Sequence, residues 1–194
     1  MFIYEFLAVT RPLGEGILVL DAWIPAPTLA ESIGVFNSGR YRYLVVLGGP
    51  TEETASRSRS HAADTDLAAG TLEKLGLDTK KLVKISVPDN SSGRTLRRAT
   101  AVRNWLESSG ASACCVDVFT VGVHARKSWI LFRHALGSKY RVGIIAGPEF
   151  RYPPRFWFIS RTGIWIVSRN LAGYFYSKLW VALNHEAPDS QRGW

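Results

Sequence analysis

Apolar runs of strand length alternate with amphipathic helical stretches along nearly the whole chain, a pattern that few folds accept. Gly16-Ile17-Leu18-Val19-Leu20-Asp21 reads as a strand buried on both faces, because its apolar run is continuous. Residues 27–38 follow as a helix, with Leu29, Ile33 and Phe36 on one face and Gly39 as its stop. Tyr43-Leu44-Val45-Val46-Leu47 predicts a second strand that ends at Gly48-Gly49-Pro50. A second helix is expected from Ser60 or His61 through Leu75, then a more alternating strand over residues 82–87 and a helix over residues 94–109. Residues 113–121, 125–136 and 140–146 predict a fourth strand, a helix and a fifth strand. A Pro/Gly-rich loop, an aromatic segment and a last helix over residues 162–183 come next, and residues 184–194 read as a loose tail.

Strand–helix alternation with short links means right-handed βαβ units. The expected fold is therefore a three-layer α-β-α Rossmann-like sandwich of about five mainly parallel strands with a C-terminal helix, one domain over residues 1–183. Adjacent Cys114 and Cys115 in a strand would point to opposite faces, which argues against a disulfide and for a reducing compartment. The apolar start, residues 1–9, contains Glu5 and lacks a basic leader, so no secretory signal is read there. Arg169, Asn170 and Lys178 interrupt the most apolar stretch, residues 164–183, so a buried or interfacial helix is expected in place of a membrane span. The expected setting is cytoplasmic, with attachment at the inner-membrane surface open to that helix.

The net charge of +8 is unevenly spread. Residues 94–161 hold twelve Arg and Lys against Glu107, Asp117 and Glu149, while the first 93 residues are slightly acidic. Such asymmetry points to an anionic partner without choosing among phosphate, nucleotide, nucleic acid and lipid headgroup. Two of the basic clusters sit where a helix least favours them. Gly93-Arg94-Thr95-Leu96-Arg97-Arg98 opens one helix, and Gly122-Val123-His124-Ala125-Arg126-Lys127 opens another. A helix N-terminus carries partial positive charge and unpaired N–H donors, so an anion bound between the two would offset the repulsion. Solvated surface charge is the competing account, above all for Arg97.

In parallel α/β sheets ligands bind outside the carboxyl ends of the strands, and both clusters fall there. His124, at a strand-to-helix turn, is placed to donate to a phosphate or to act as acid or base; a hydrogen-bonded structural histidine is the plain alternative. Asp21, ending the first strand, is the best carboxylate for a base or polar anchor. Gly48 and Gly49 allow close backbone approach to a ligand, or simply make a tight turn. Pro50, Asn90, Arg94, Thr95, Arg98, Gly122, Arg126 and Lys127 complete the expected ligand-binding set. Gly14-Glu15-Gly16 precedes a strand, so it is no dinucleotide fingerprint. Walker-type loops, nucleophile elbows and histidine pairs at metal spacing are missing, and no metal is expected.

Together these pieces resemble the bacterial family of unknown function typified by SanA, ElyC and YdcF. The likeness runs from Gly16 to the last helix. It is carried by Val45-Val46-Leu47-Gly48-Gly49-Pro50, Gly93-Arg94-Thr95, and Gly122-Val123-His124-Ala125-Arg126-Lys127-Ser128 with Leu131-Phe132. Trp23-Ile24-Pro25 and Phe156-Trp157-Phe158 add a subgroup flavour. The resemblance implies a Rossmann-like fold, a pocket containing Gly48, Gly49, Thr95, His124 and Arg126, and a tie to envelope and polysaccharide biogenesis. It also brings in S-adenosylmethionine, the reported ligand of one member. Lys127 departs from the Arg of many relatives, Asp66 from a Glu, and the N-terminal membrane anchor of many relatives is not seen.

The leading expectation is a site for a small anionic, phosphate-bearing ligand, with His124 as donor or acid and Arg94, Arg126 and Lys127 as clamps. The alternatives are a scaffold whose aromatic C-terminal helix meets a partner or membrane surface, and an S-adenosylmethionine-binding enzyme. Nucleic-acid binding is weakest, because no nucleic-acid motif accompanies the charge.

Overall fold

The computed structural model describes residues 2–49, 63–87, 93–111 and 113–184. Five strands form one sheet: β1 (Glu15–Asp21), β2 (Arg40–Gly48), β3 (Leu82–Ser86), β4 (Cys115–Val121) and β5 (Arg141–Gly147). All named strand pairs are parallel, in the order β3-β2-β1-β4-β5. The chain winds outward from β1 to β2 and β3, then crosses back to β4 on the other side of β1. The switch point in strand order therefore lies between β1 and β4, where Leu20 is paired with Phe119.

The continuous apolar strands are buried on both faces, as a covered parallel sheet requires. Ile17 and Val19 face a core shared with α4 (Arg94–Ser108) and α5 (Ala125–Leu136), through Ala99, Val102 and Phe132. Leu18 and Leu20 face the opposite core with α2 (Ala26–Ser38) and α3 (Ala63–Lys74), through Leu29, Phe36 and Leu72. This is the expected three-layer arrangement. The boundaries of α5 coincide with the sequence reading, and Gly137 ends it at φ +64°, a conformation glycine adopts without cost.

Two elements lie outside the expected pattern or extend it. Residues 2–7 form a short helix, α1 (Phe2–Leu7), that the sequence reading did not include. Its Leu7 joins Val123, Tyr152, Val167 and Tyr174 in a third, smaller core. The final helix, α6 (Arg161–Asn184), packs on α5 and closes that core from outside the sandwich. The expected tail beyond it lies outside the described residues.

One correction concerns the cysteines. Cys114 sits in a bend before β4, so strand alternation does not separate it from Cys115, and the two sulfurs lie 2.7 Å apart as free thiols. Burial is the largest cause pushing the Cys115 thiol up to about 12, which leaves it protonated and unreactive at neutral pH.

Asp117, fully buried in β4, ties down the approach to the sheet. Its carboxylate accepts the backbone N–H of Leu13 at 2.9 Å and of Gly14 at 2.8 Å, and the Tyr41 hydroxyl at 2.6 Å. Asp117→Asn turns one acceptor toward donors as a donor. It is expected to cost about 2–4 kcal/mol in urea unfolding, and Tyr41→Phe about 1 kcal/mol. Unchanged midpoints for both would contradict this account.

Candidate functional site

The site is built at the carboxyl ends of β1 and β4, beside the switch point. Asp21 ends β1 and is buried there. Arg98, one turn into α4, reaches back so that its Nη1 donates to Asp21 Oδ1 at 3.1 Å. Burial raises the carboxyl pKa of Asp21, against the lowering pull of Arg98 and a hydrogen bond from Trp23. Asp21 is consumed in these contacts and does not line the cavity, so it positions Arg98 instead of serving as an open base.

Above this pair lies a cavity of about 870 Å³ lined from five sides. The N-terminus of α4 contributes Gly93, Arg94, Thr95 and Arg98; the turn after β4 and the start of α5 contribute His124 and Lys127; the loop after β5 contributes Arg151; and α6 contributes Trp165, Arg169, Asn170, Tyr176 and Trp180. Trp23 lines it from the β1 loop. No acidic side chain among the described residues lines it. Arg98 is matched by Asp21, and Arg151 by buried Glu149, whose two oxygens accept from the guanidinium at 2.8 and 2.6 Å. Lys127 and Arg169 form no ion pair among the described residues. Burial first, then Arg169 and Arg94, bring the Lys127 ammonium down to about 8 against the raising pull of Asp21.

His124 caps a single 3-10 turn, Gly122–His124, and its ring meets Trp23 edge-on with centroids 5.4 Å apart. Its Nδ1 faces Asn170 Oδ1 at 3.0 Å. The Asn170 amide is oriented by its own Nδ2, which donates to the Ile166 carbonyl at 2.8 Å. Nδ1 must therefore carry the proton, and Nε2 is left as an acceptor. Burial, joined by the charge of Lys127, lowers the imidazole pKa to about 3. At neutral pH His124 is a neutral, oriented acceptor, which suits the base among the roles the sequence offered better than the donor or acid.

The other expected residues divide. Arg94, Thr95, Arg98, His124 and Lys127 meet at the cavity. Arg126 does not: its Nε donates to the Phe6 carbonyl of α1, and its guanidinium lies 4.0 Å from the Phe6 ring centre. Successive helical residues point about 100° apart, so only one of Arg126 and Lys127 can face the cavity. Gly48 and Gly49 are small for packing reasons, since a Cβ would strike Thr65 at the first and the Val87 carbonyl at the second. Gly122, at φ +41°, is pressed against Tyr4. Neither Arg97 nor these glycines line the cavity. Pro50 and Asn90 lie outside the described residues.

Arg151, Arg169 and Asn170 were missed as site residues. The signal for the last two was present as the polar interruption of the most apolar stretch. These polar residues face the cavity and His124. The result is a Rossmann-like α/β protein with a cationic, aromatic-walled cavity at its sheet switch point. Compared with known proteins, the chain matches no family model, no curated protein and no solved structure. Its likeness to SanA, ElyC and YdcF rests on the quoted residues alone.

The sign of the His124 shift gives a test. The unfolded imidazole titrates near 6.5 and the folded one near 3, so in that window the unfolded chain binds the extra proton. Stability is expected to fall as pH drops from 6.5 toward 3. His124→Gln should flatten that acid limb in melting-temperature scans; identical slopes would show that the imidazole is not held neutral.

Proposed function

We propose that the cavity binds a small organic ligand through a phosphate group. The observation that carries this reading is the meeting of Lys127 and Arg169, neither in an ion pair among the described residues, at one cavity whose described lining includes no carboxylate. Like charges held together with a partly desolvated lysine are costly unless an anion joins them. The α4 N-terminus adds to the field: Gly93, at φ +69°, supplies no side-chain cap to the first N–H groups of α4.

Volume argues for more than a bare phosphate. Small-molecule sites typically span about 300–1,000 Å³, and this one lies within that range. Trp23, Trp165, Tyr176 and Trp180 offer flat apolar walls for a sugar face, ring or chain, while His124 Nε2 accepts from a ligand hydroxyl. A phosphate-bearing ligand suits these charges better than S-adenosylmethionine, whose sulfonium would meet arginine and lysine. Resemblance to SanA, ElyC and YdcF supplies the setting we favour, bacterial envelope or exopolysaccharide biogenesis.

A melting-temperature screen against sugar phosphates, nucleotides and inorganic pyrophosphate tests the reading. At least one phosphate compound should stabilise the protein, and its unphosphorylated counterpart should not. Lys127→Met and Arg169→Met should each weaken binding about tenfold to a hundredfold, the value of one charge-assisted hydrogen bond. Arg126→Met should leave affinity unchanged. No stabilisation across the panel, or equal loss in all three variants, would overturn the proposal.

A further inference from the structure

Residues 150–184 contain five basic side chains, Arg151, Arg155, Arg161, Arg169 and Lys178, and no Asp or Glu. The same stretch holds most of the exposed large apolar side chains of the described chain. On α6 the buried side is set by Gly163, Val167, Tyr174 and Ser177. The opposite side presents Trp165, Phe175, Leu179 and Leu183, which are 66%, 59%, 62% and 72% exposed. Helical periodicity gathers these four into one stripe and puts Arg169 and Lys178 at its two margins. Just before α6, the turn Pro154–Ile159 adds exposed Phe156, Phe158 and Ile159 beside Arg155.

Soluble surfaces rarely expose a contiguous apolar patch of this kind, so something covers it. Charge selects the occupant. A second copy docking through the same face would bring like charges together with no acidic residue to separate them. A nucleic acid would use the cations but leave the aliphatic side chains without partners. An apolar stripe between basic margins, with Trp among its members, matches a helix lying in a bilayer interface with anionic headgroups. Among the described residues no helix is long and apolar enough to cross a membrane, so the fitting geometry is contact along the surface.

We infer that the outer face of α6, with the aromatic turn preceding it, docks on an anionic lipid bilayer. Apolar side chains enter the headgroup boundary while Arg155, Arg161 and Lys178 meet lipid phosphates. Trp165 and Arg169 also line the cavity, but Phe175, Leu179, Leu183, Arg155, Arg161 and Lys178 do not, and on these the inference stands whatever fills the cavity.

Vesicle co-sedimentation of the full chain tests it. Phosphatidylcholine vesicles containing phosphatidylglycerol should capture the protein, pure phosphatidylcholine should capture much less, and salt should release it. Phe175→Glu with Leu179→Glu, both exposed, should reduce capture at least about tenfold without altering the melting temperature. Should that pair destabilise the fold, Lys178→Glu with Arg161→Glu serves instead and should reduce capture by electrostatics alone. Three results would overturn the inference: no capture by phosphatidylglycerol vesicles, capture unaffected by both pairs, or a concentration-dependent dimer that Phe175→Glu dissociates while vesicles are ignored. The ligand screen reads the cavity separately, so either proposal can fail alone.

Discussion

The buried ion pair between Asp21 and Arg98 organises everything above the sheet. It anchors the first turns of α4 to the carboxyl end of β1, at the point where strand order reverses. Arg98 has its counter-charge in direct contact, while Lys127 feels the same carboxylate only through space. Lys127 and Arg169 thus meet at one cavity without an ion pair to any described acidic side chain. A pair of buried charges is weak evidence for stability. Here its consequence is positional: it holds an electropositive hollow open at the place where α/β sheets bind ligands.

A second consequence concerns α6. The sandwich is complete without this helix, which packs on its outside, yet α6 supplies Arg169, Asn170 and three aromatic walls of the cavity. One side of α6 fixes the His124 tautomer through Asn170, and the other exposes the apolar stripe. Contact of α6 with a membrane surface would then place the cavity next to the bilayer. Binding and docking would share one element.

The layered fold was legible because strand burial and helix punctuation agreed. The continuous apolar run at Ile17-Leu18-Val19-Leu20 announced a covered sheet, and Gly137 marked the end of α5. Helix α1 was not legible: six residues carry too little periodicity, and the helix is held by Leu7 packing against residues far along the chain. At the site, the residues on the strand-end loops were recoverable from local pattern, including Arg94, His124 and Lys127. Arg126 was not separable from Lys127, because which neighbour faces inward depends on how α5 is rotated against α1. The parts played by Arg169 and Asn170 were hidden for the same reason, since the docking of α6 is a long-range property. The protonated nitrogen of His124 required the Asn170 amide, fixed in turn by the Ile166 carbonyl.

The account depends on Lys127 and Arg169, which form no ion pair among the described residues, meeting an acid group of the ligand. Calorimetric titration of a phosphate ligand near pH 8, repeated in buffers of different ionisation enthalpy, measures the protons exchanged on binding. Lys127 titrates near 8, so an incoming phosphate should draw a proton onto its neutral amine fraction, and net uptake should vanish in Lys127→Met. Binding with no proton uptake, or uptake undiminished in that variant, would contradict the account.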